Sequence, residues 1–109
     1  MEEQDFHKKC DAALVALRDR LLDLGDELGF DVEGQGEKLE VLFEEPEVTR
    51  FVISPNTPVR QIWVSAHSRS FKLDWNAAQD TFVLPDTGET LTQLIKTAIG
   101  QQLGKEITL

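Results

Sequence analysis

Cysteine occurs once in this 109-residue chain, at Cys10, so no disulfide can close within it and no thiolate cluster can hold a metal. A single thiol fits a reducing compartment. No apolar run approaches the roughly 20 residues needed to span a bilayer. The opening Met1-Glu2-Glu3-Gln4-Asp5 is acidic where a presequence would be basic, so a soluble chain without an address, and no membrane partner, is expected. Basic residues are scarce as well, eleven Lys and Arg against twenty Asp and Glu, which argues against nucleic acid, whose phosphates require clustered cations. Catalytic motifs are missing too. There is no Gly-x-Ser-x-Gly elbow, no glycine-rich phosphate loop, no two-His-one-carboxylate set at helical spacing and no Glu-x-x-His pair of the di-iron kind.

Acid is what the chain has in excess, and its distribution is uneven. The first 47 positions hold fifteen acidic and five basic residues, whereas the remaining 62 hold five and six. A one-signed surface concentrates whatever carries the opposite sign, so the imbalance speaks to partners and cations before it speaks to fold. Forty per cent hydrophobic residues, with two Trp and six Phe, is a globular composition. The length suits one domain spanning 1–109.

Apolar residues at Phe6, Cys10, Ala13, Leu14, Leu17, Leu21, Leu24 and Leu28 fall at spacings of three and four, predicting an amphipathic helix that closes near Gly25 or Gly29. Asp19, Asp23 and Asp26 then point away from the apolar face as a solvent-facing stripe, with Val15 and Leu22 beside it. Alternation takes over at Phe30 and Val32, and again at Leu39, Val41 and Phe43, with a turn expected at Gly34 to Gly36. Further alternations at 50–54, 61–65, 71–75 and 81–84 are separated by Pro55-Asn56-Thr57-Pro58, His67-Ser68-Arg69-Ser70 and Asn76 to Asp80, each a run of turn residues. The helical period returns with Leu91, Leu94, Ile95, Ala98 and Ile99. Asp86 and Glu89 are expected as its capping box, Gly104 as its stop, and Ile107 and Leu109 as a short apolar tail.

The fold class that follows is α+β, with two terminal helices on one face of an antiparallel sheet of about six strands. The other face must then meet solvent. If Ile62 and Val64 are core, Trp63 is exposed in mid-sheet, where Trp and Arg are the commonest interface hot spots. Arg60, Gln61, Arg69 and Lys72 could form a basic rim around it. A register shifted by one would bury Trp63 instead. A charge run is most often merely a solvated face, His67 reads as a loop residue, and Cys10 reads as packing.

The stretch Phe51 to Ser65, with Thr57-Pro58 and Gln61-Ile62-Trp63, followed by Lys72-Leu73-Asp74-Trp75, resembles the central signature of the frataxin family. Phe6-His7 on an acidic helix and Gly88-Glu89-Thr90-Leu91 before the last helix are similar to bacterial members, so nearly the whole chain is covered. The resemblance implies an iron-binding protein that regulates iron–sulfur cluster assembly through a cysteine desulfurase and its scaffold partner. It also implies a bacterial cytoplasmic location, or the mitochondrial matrix after removal of a presequence. Carried over position by position, the family's acidic ridge falls on Asp19, Asp23, Asp26, Glu27, Asp31 and Glu33, with His7 and Asp11 near the helix start. The partner face falls on Asn56, Arg60, Gln61, Trp63 and Lys72.

Oxygen ligands on an exposed ridge would hold Fe2+ or Fe3+ weakly and accept Mn2+, Co2+ or Ca2+ as well. Arg18, Leu22, Gly25 and Gly29 stand where more acidic bacterial members carry carboxylates, which makes this ridge thinner. Ser54 stands where Asn is frequent, and Val59 replaces a polar residue. The expectation is a non-enzymatic regulator, monomeric unless metal drives it into oligomers. Two alternatives stand beside it: a ferroxidase that stores iron, and an acidic interaction module without a metal role.

Overall fold

The first apolar stripe produces a 26-residue helix, α1 (Glu3–Leu28), with Phe6, Cys10, Leu14, Leu17 and Leu21 all buried. The computed structural model describes every residue except Gly36 and, beyond its backbone, Gln35. Gly29 closes α1 at φ +88°, a left-handed conformation in which a side chain is strained. Its N–H donates to the Gly25 carbonyl at 2.7 Å. The chain then reverses through buried Phe30 and runs back along the helix.

Six strands follow: β1 (Asp31–Gln35), β2 (Lys38–Phe43), β3 (Thr49–Asn56), β4 (Gln61–Ala66), β5 (Arg69–Asn76) and β6 (Thr81–Val83). They form one antiparallel meander in sequence order. Helix α2 (Leu91–Leu103) completes the chain and ends at Gly104, φ +68°. Both helices pack on one face of the sheet. Between the layers lie Leu39, Val41, Phe51, Ile53, Ile62, Val64, Leu73 and Phe82, facing Leu21, Ile95 and Ile99. Aromatic pairs add to this core: Phe43 lies 5.0 Å from Phe51, tilted, and Phe82 lies 5.2 Å from Trp75, edge-on, centroid to centroid.

The expected α+β architecture and its six strands are present, with local corrections. Gly34 and Gln35 belong to β1 rather than to a turn, and Gly36 lies outside the described residues. Pro55 continues β3 opposite Ile62, and the turn beyond it is a 3-10 helix at Thr57–Val59. A proline is tolerated there because β2 pairing has already ended at Leu39–Ile53, leaving β3 one neighbour. The cap of α2 is Thr90, not Asp86. Thr90 Oγ1 accepts from the Gln93 N–H at 3.2 Å, and Gln93 Oε1 accepts from the Thr90 N–H at 2.9 Å. Residues 84–89 cannot start the helix because the Leu84 N–H donates to the Glu89 carbonyl and Val83 bridges Thr90.

The β4–β5 hairpin turns on His67 and Ser68, both at positive φ as a two-residue turn matched to strand twist requires. His67 is more than a loop residue. Its Nε2 lies 2.9 Å from the Ala98 carbonyl of α2, and its ring meets Phe51 edge-on.

Candidate functional surfaces

Strand alternation decides which side chains are available on the open sheet face. Partner residues in an antiparallel ladder share a face, so the register gives two adjacent rows: Ser54–Trp63–Lys72 and Asn56–Gln61–Asp74. Trp63 is 38% exposed, as its alternation with buried Ile62 and Val64 demands. Its indole N–H donates to Gln61 Oε1 at 3.0 Å, and Gln61 Nε2 donates to Asp74 Oδ1 at 3.0 Å. Lys72 Nζ sits 4.8 Å from the Trp63 ring centroid, within cation–π range. A shallow hollow of about 140 Å³ opens beside the indole, lined by Val52, Ser54, Ser65, Ser70 and Lys72.

Four of the five expected partner-face residues, Asn56, Gln61, Trp63 and Lys72, are therefore neighbours. Arg60 is not with them. It adopts φ +54°, and its guanidinium turns back to the Thr57 carbonyl and, at 3.4 Å, to the Met1 carbonyl at the start of the chain. Arg69 pairs with buried Ala66 and lies over Phe71, which places it on the helix-facing side of the sheet. Asp74 was part of the Asp-Trp element in the sequence, but only the register reveals that it touches Gln61.

The acidic positions divide among three places. Asp19, Asp23, Asp26 and Glu27 are exposed on α1. Among the described residues only Asp19 of these four has an ion-pair partner, Arg18 at 3.8 Å. Asp31 and Glu33 pair with Leu42 and Glu40, so they share the open sheet face while Val32 packs toward the core. His7 and Asp11 lie at the other end of α1. Eight residues separate Asp11 from Asp19, roughly 12 Å along a helix.

Glu37 joins His7, although in the sequence it stands outside the ridge. Its Oε1 lies 3.4 Å from His7 Nδ1, while Glu3 Oε1 lies 3.9 Å from His7 Nε2. Glu37, Asp11, Arg18, Gly34 and Lys38 border a small hollow of about 80 Å³ between α1 and the first hairpin. Among the described residues no group of three or more His, Cys, Asp or Glu side chains converges as a metal cage. The carried-over metal positions thus form dispersed carboxylates, an arrangement suited to weak, exchangeable cations.

Two carboxylates of this region, Asp11 and Glu37, also act on Cys10. Burial above all, then the charges of Asp11 and Glu37, push its thiol up to about 12. The folded thiol keeps its proton where the unfolded one, titrating at about 8.5, loses it. The Cys10 contribution to stability is therefore intact below the ordinary thiol range and is lost as pH rises toward 12. At about pH 9, iodoacetamide is expected to label Cys10 in denaturant and to leave the native protein nearly untouched. Equal labelling rates in the two states would contradict this.

The chain is thus an acidic two-layer α-β sandwich with an acid-rich helix on one side and a tryptophan-bearing open sheet on the other. Among the described residues, no helix is long and apolar enough to cross a membrane. Residues 1–105 match the frataxin-like domain, and the chain belongs to that family. A solved frataxin from Psychromonas ingrahamii, studied for stability modulation within the CyaY protein family, has the same fold. Its TM-score is 0.76 at 20% identity, covering 98% of this chain and 96% of that one. The frataxin family carries a general iron-related role in iron–sulfur cluster assembly and is generally not enzymatic.

Proposed function

We propose that this protein binds iron weakly and regulates iron–sulfur cluster assembly by delivering or sensing iron at a cysteine desulfurase and its scaffold partner. In this reading the α1 carboxylates hold the metal and meet a basic partner surface, while the Trp63 face docks a second contact. The protein works without catalytic turnover of its own. The observation that carries the reading is the outer side of α1, where Asp19, Asp23 and Asp26 stand exposed on a single stripe. Exposed oxygen ligands without imposed geometry bind hard cations reversibly, which is what a donor or sensor of iron requires and a storage cage does not. The stripe also supplies the charge for association with a basic surface, an attraction screened within about 8 to 10 Å at physiological salt.

Anaerobic titration with Fe2+ tests the assignment. The triple variant Asp19→Asn, Asp23→Asn, Asp26→Asn is expected to bind Fe2+ several-fold more weakly, with circular dichroism unchanged because exposed Asp→Asn changes stay within about 0.5 kcal/mol each. Undiminished iron binding by that variant would remove α1 from the metal site.

A further inference from the structure

We propose that Asp74 is a positioning residue: acting through the Gln61 side-chain amide, it fixes the indole of Trp63 for docking. The inference rests on the docking role given above to the Trp63 face. It follows from the hydrogen-bonding capacity of three side chains in a row. The indole N–H can only donate, an ionised carboxylate can only accept, and a glutamine amide presents either end. Gln61 lies between the other two, at 3.0 Å from each. Asp74, being acceptor-only, selects the Nε2 end of Gln61, and that choice leaves Oε1 facing Trp63. Without Asp74 the amide is free to turn, and with Nε2 toward the indole two donors would face each other.

The arrangement has a consequence for recognition. With its N–H already satisfied by Gln61 and Lys72 Nζ at 4.8 Å from the ring centroid, Trp63 offers a partner an apolar ring and not a donor. The surface therefore selects a protein partner that brings an apolar side chain to the indole, beside the hollow formed by Val52, Ser54, Ser65 and Ser70. Holding an exposed aromatic in its bound orientation reduces the ordering cost of association. Asp74 exerts that effect without itself having to touch the partner.

The test compares Asp74→Ala, Asp74→Asn and Trp63→Ala in the full chain, using the indole N–H signals in nitrogen-15 NMR and affinity for the desulfurase–scaffold assembly. The Trp75 indole, on the opposite side of the sheet, is the internal control. Asp74→Ala is expected to shift the Trp63 signal and speed its solvent exchange, and to weaken binding about fivefold, the scale of one hydrogen bond. Asp74→Asn keeps an acceptor oxygen for Gln61 Nε2 and is expected to restore both signal and affinity. A Trp63 signal indifferent to Asp74→Ala overturns the positioning role. So does an equal affinity loss in Ala and Asn variants, which would mark a simple charge effect. Unchanged binding by Trp63→Ala would defeat the docking role, and this inference with it, whatever the indole signal of the free Asp74 variants shows.

Discussion

Trp63→Ala is expected to weaken binding to the assembly partners by about 2 kcal/mol or more, roughly thirtyfold, while the protein stays folded. The two effects separate because the residue lies on the open face, outside the core layer. At 38% exposure on the open face, its removal leaves the Ile62, Val64 and Leu73 layer intact. What the sheet loses is one cross-strand contact with Lys72 and one bond to Gln61, together about 1 kcal/mol on the scale of strand substitutions. A domain with 5 to 15 kcal/mol of stability tolerates that loss. Isothermal titration calorimetry against the partner, paired with thermal unfolding, distinguishes the terms. Unchanged affinity would take the sheet face out of the docking role, and wholesale unfolding would mean that the indole carries core packing its exposure does not show.

Legibility in the sequence followed the length of each periodic pattern. Helix α1 and the alternation around Trp63 were readable because both extend over several repeats, and a shift of one residue would have buried Gln61 and exposed Ile62 and Val64. The start of α2 was not. Asp86 with Glu89 and Thr90 with Gln93 both satisfy the same spacing, and what decides between them is non-local: residues 84–89 are closed onto β6 through the Leu84–Glu89 bond and the Val83–Thr90 bridge. Arg60 shows the same limit. The sequence offers it as part of a basic rim around Trp63, but a left-handed φ swings it toward Thr57 and the start of the chain.

The acidic surface was legible as charge and only partly as place. Faces and layers, which come from pairing, put Asp31 and Glu33 on the open side of the sheet, away from the α1 stripe. Glu37 could have been located from elementary distances. After the reversal at Gly29, the six residues to Gln35 cover roughly 20 Å. The helical path from Leu28 back to Val15 is roughly 20 Å. The hairpin therefore turns beside the first half of α1, where Glu37 is found against His7. That meeting of tip and helix depends on the reversal being sharp, and a second glycine makes it so.

Gly25→Ala is accordingly expected to cost about 2 to 3 kcal/mol, although alanine favours helices over glycine by about 1 kcal/mol. A Cβ at position 25 would lie 2.5 Å from the Phe30 carbonyl oxygen and 3.2 Å from two atoms of the Phe30 ring. The oxygen belongs to the backbone, so relief requires Phe30 to move, and Phe30 is buried against Phe43 at 5.2 Å. Overpacking thus outweighs propensity. Gly29→Ala provides the contrast, with open space around its Cβ and only the left-handed φ of +88° to oppose it, about 1 to 2 kcal/mol. Urea unfolding of both variants checks the ordering, and a Gly25→Ala protein more stable than the parent would show that the reversal relaxes freely. The turn itself limits where acid can stand at the end of α1: position 25 is buried under Phe30 and position 29 is left-handed. A carboxylate at position 25 would displace Phe30 and the turn that brings the hairpin back to His7, whereas one at position 29 would carry only the left-handed strain.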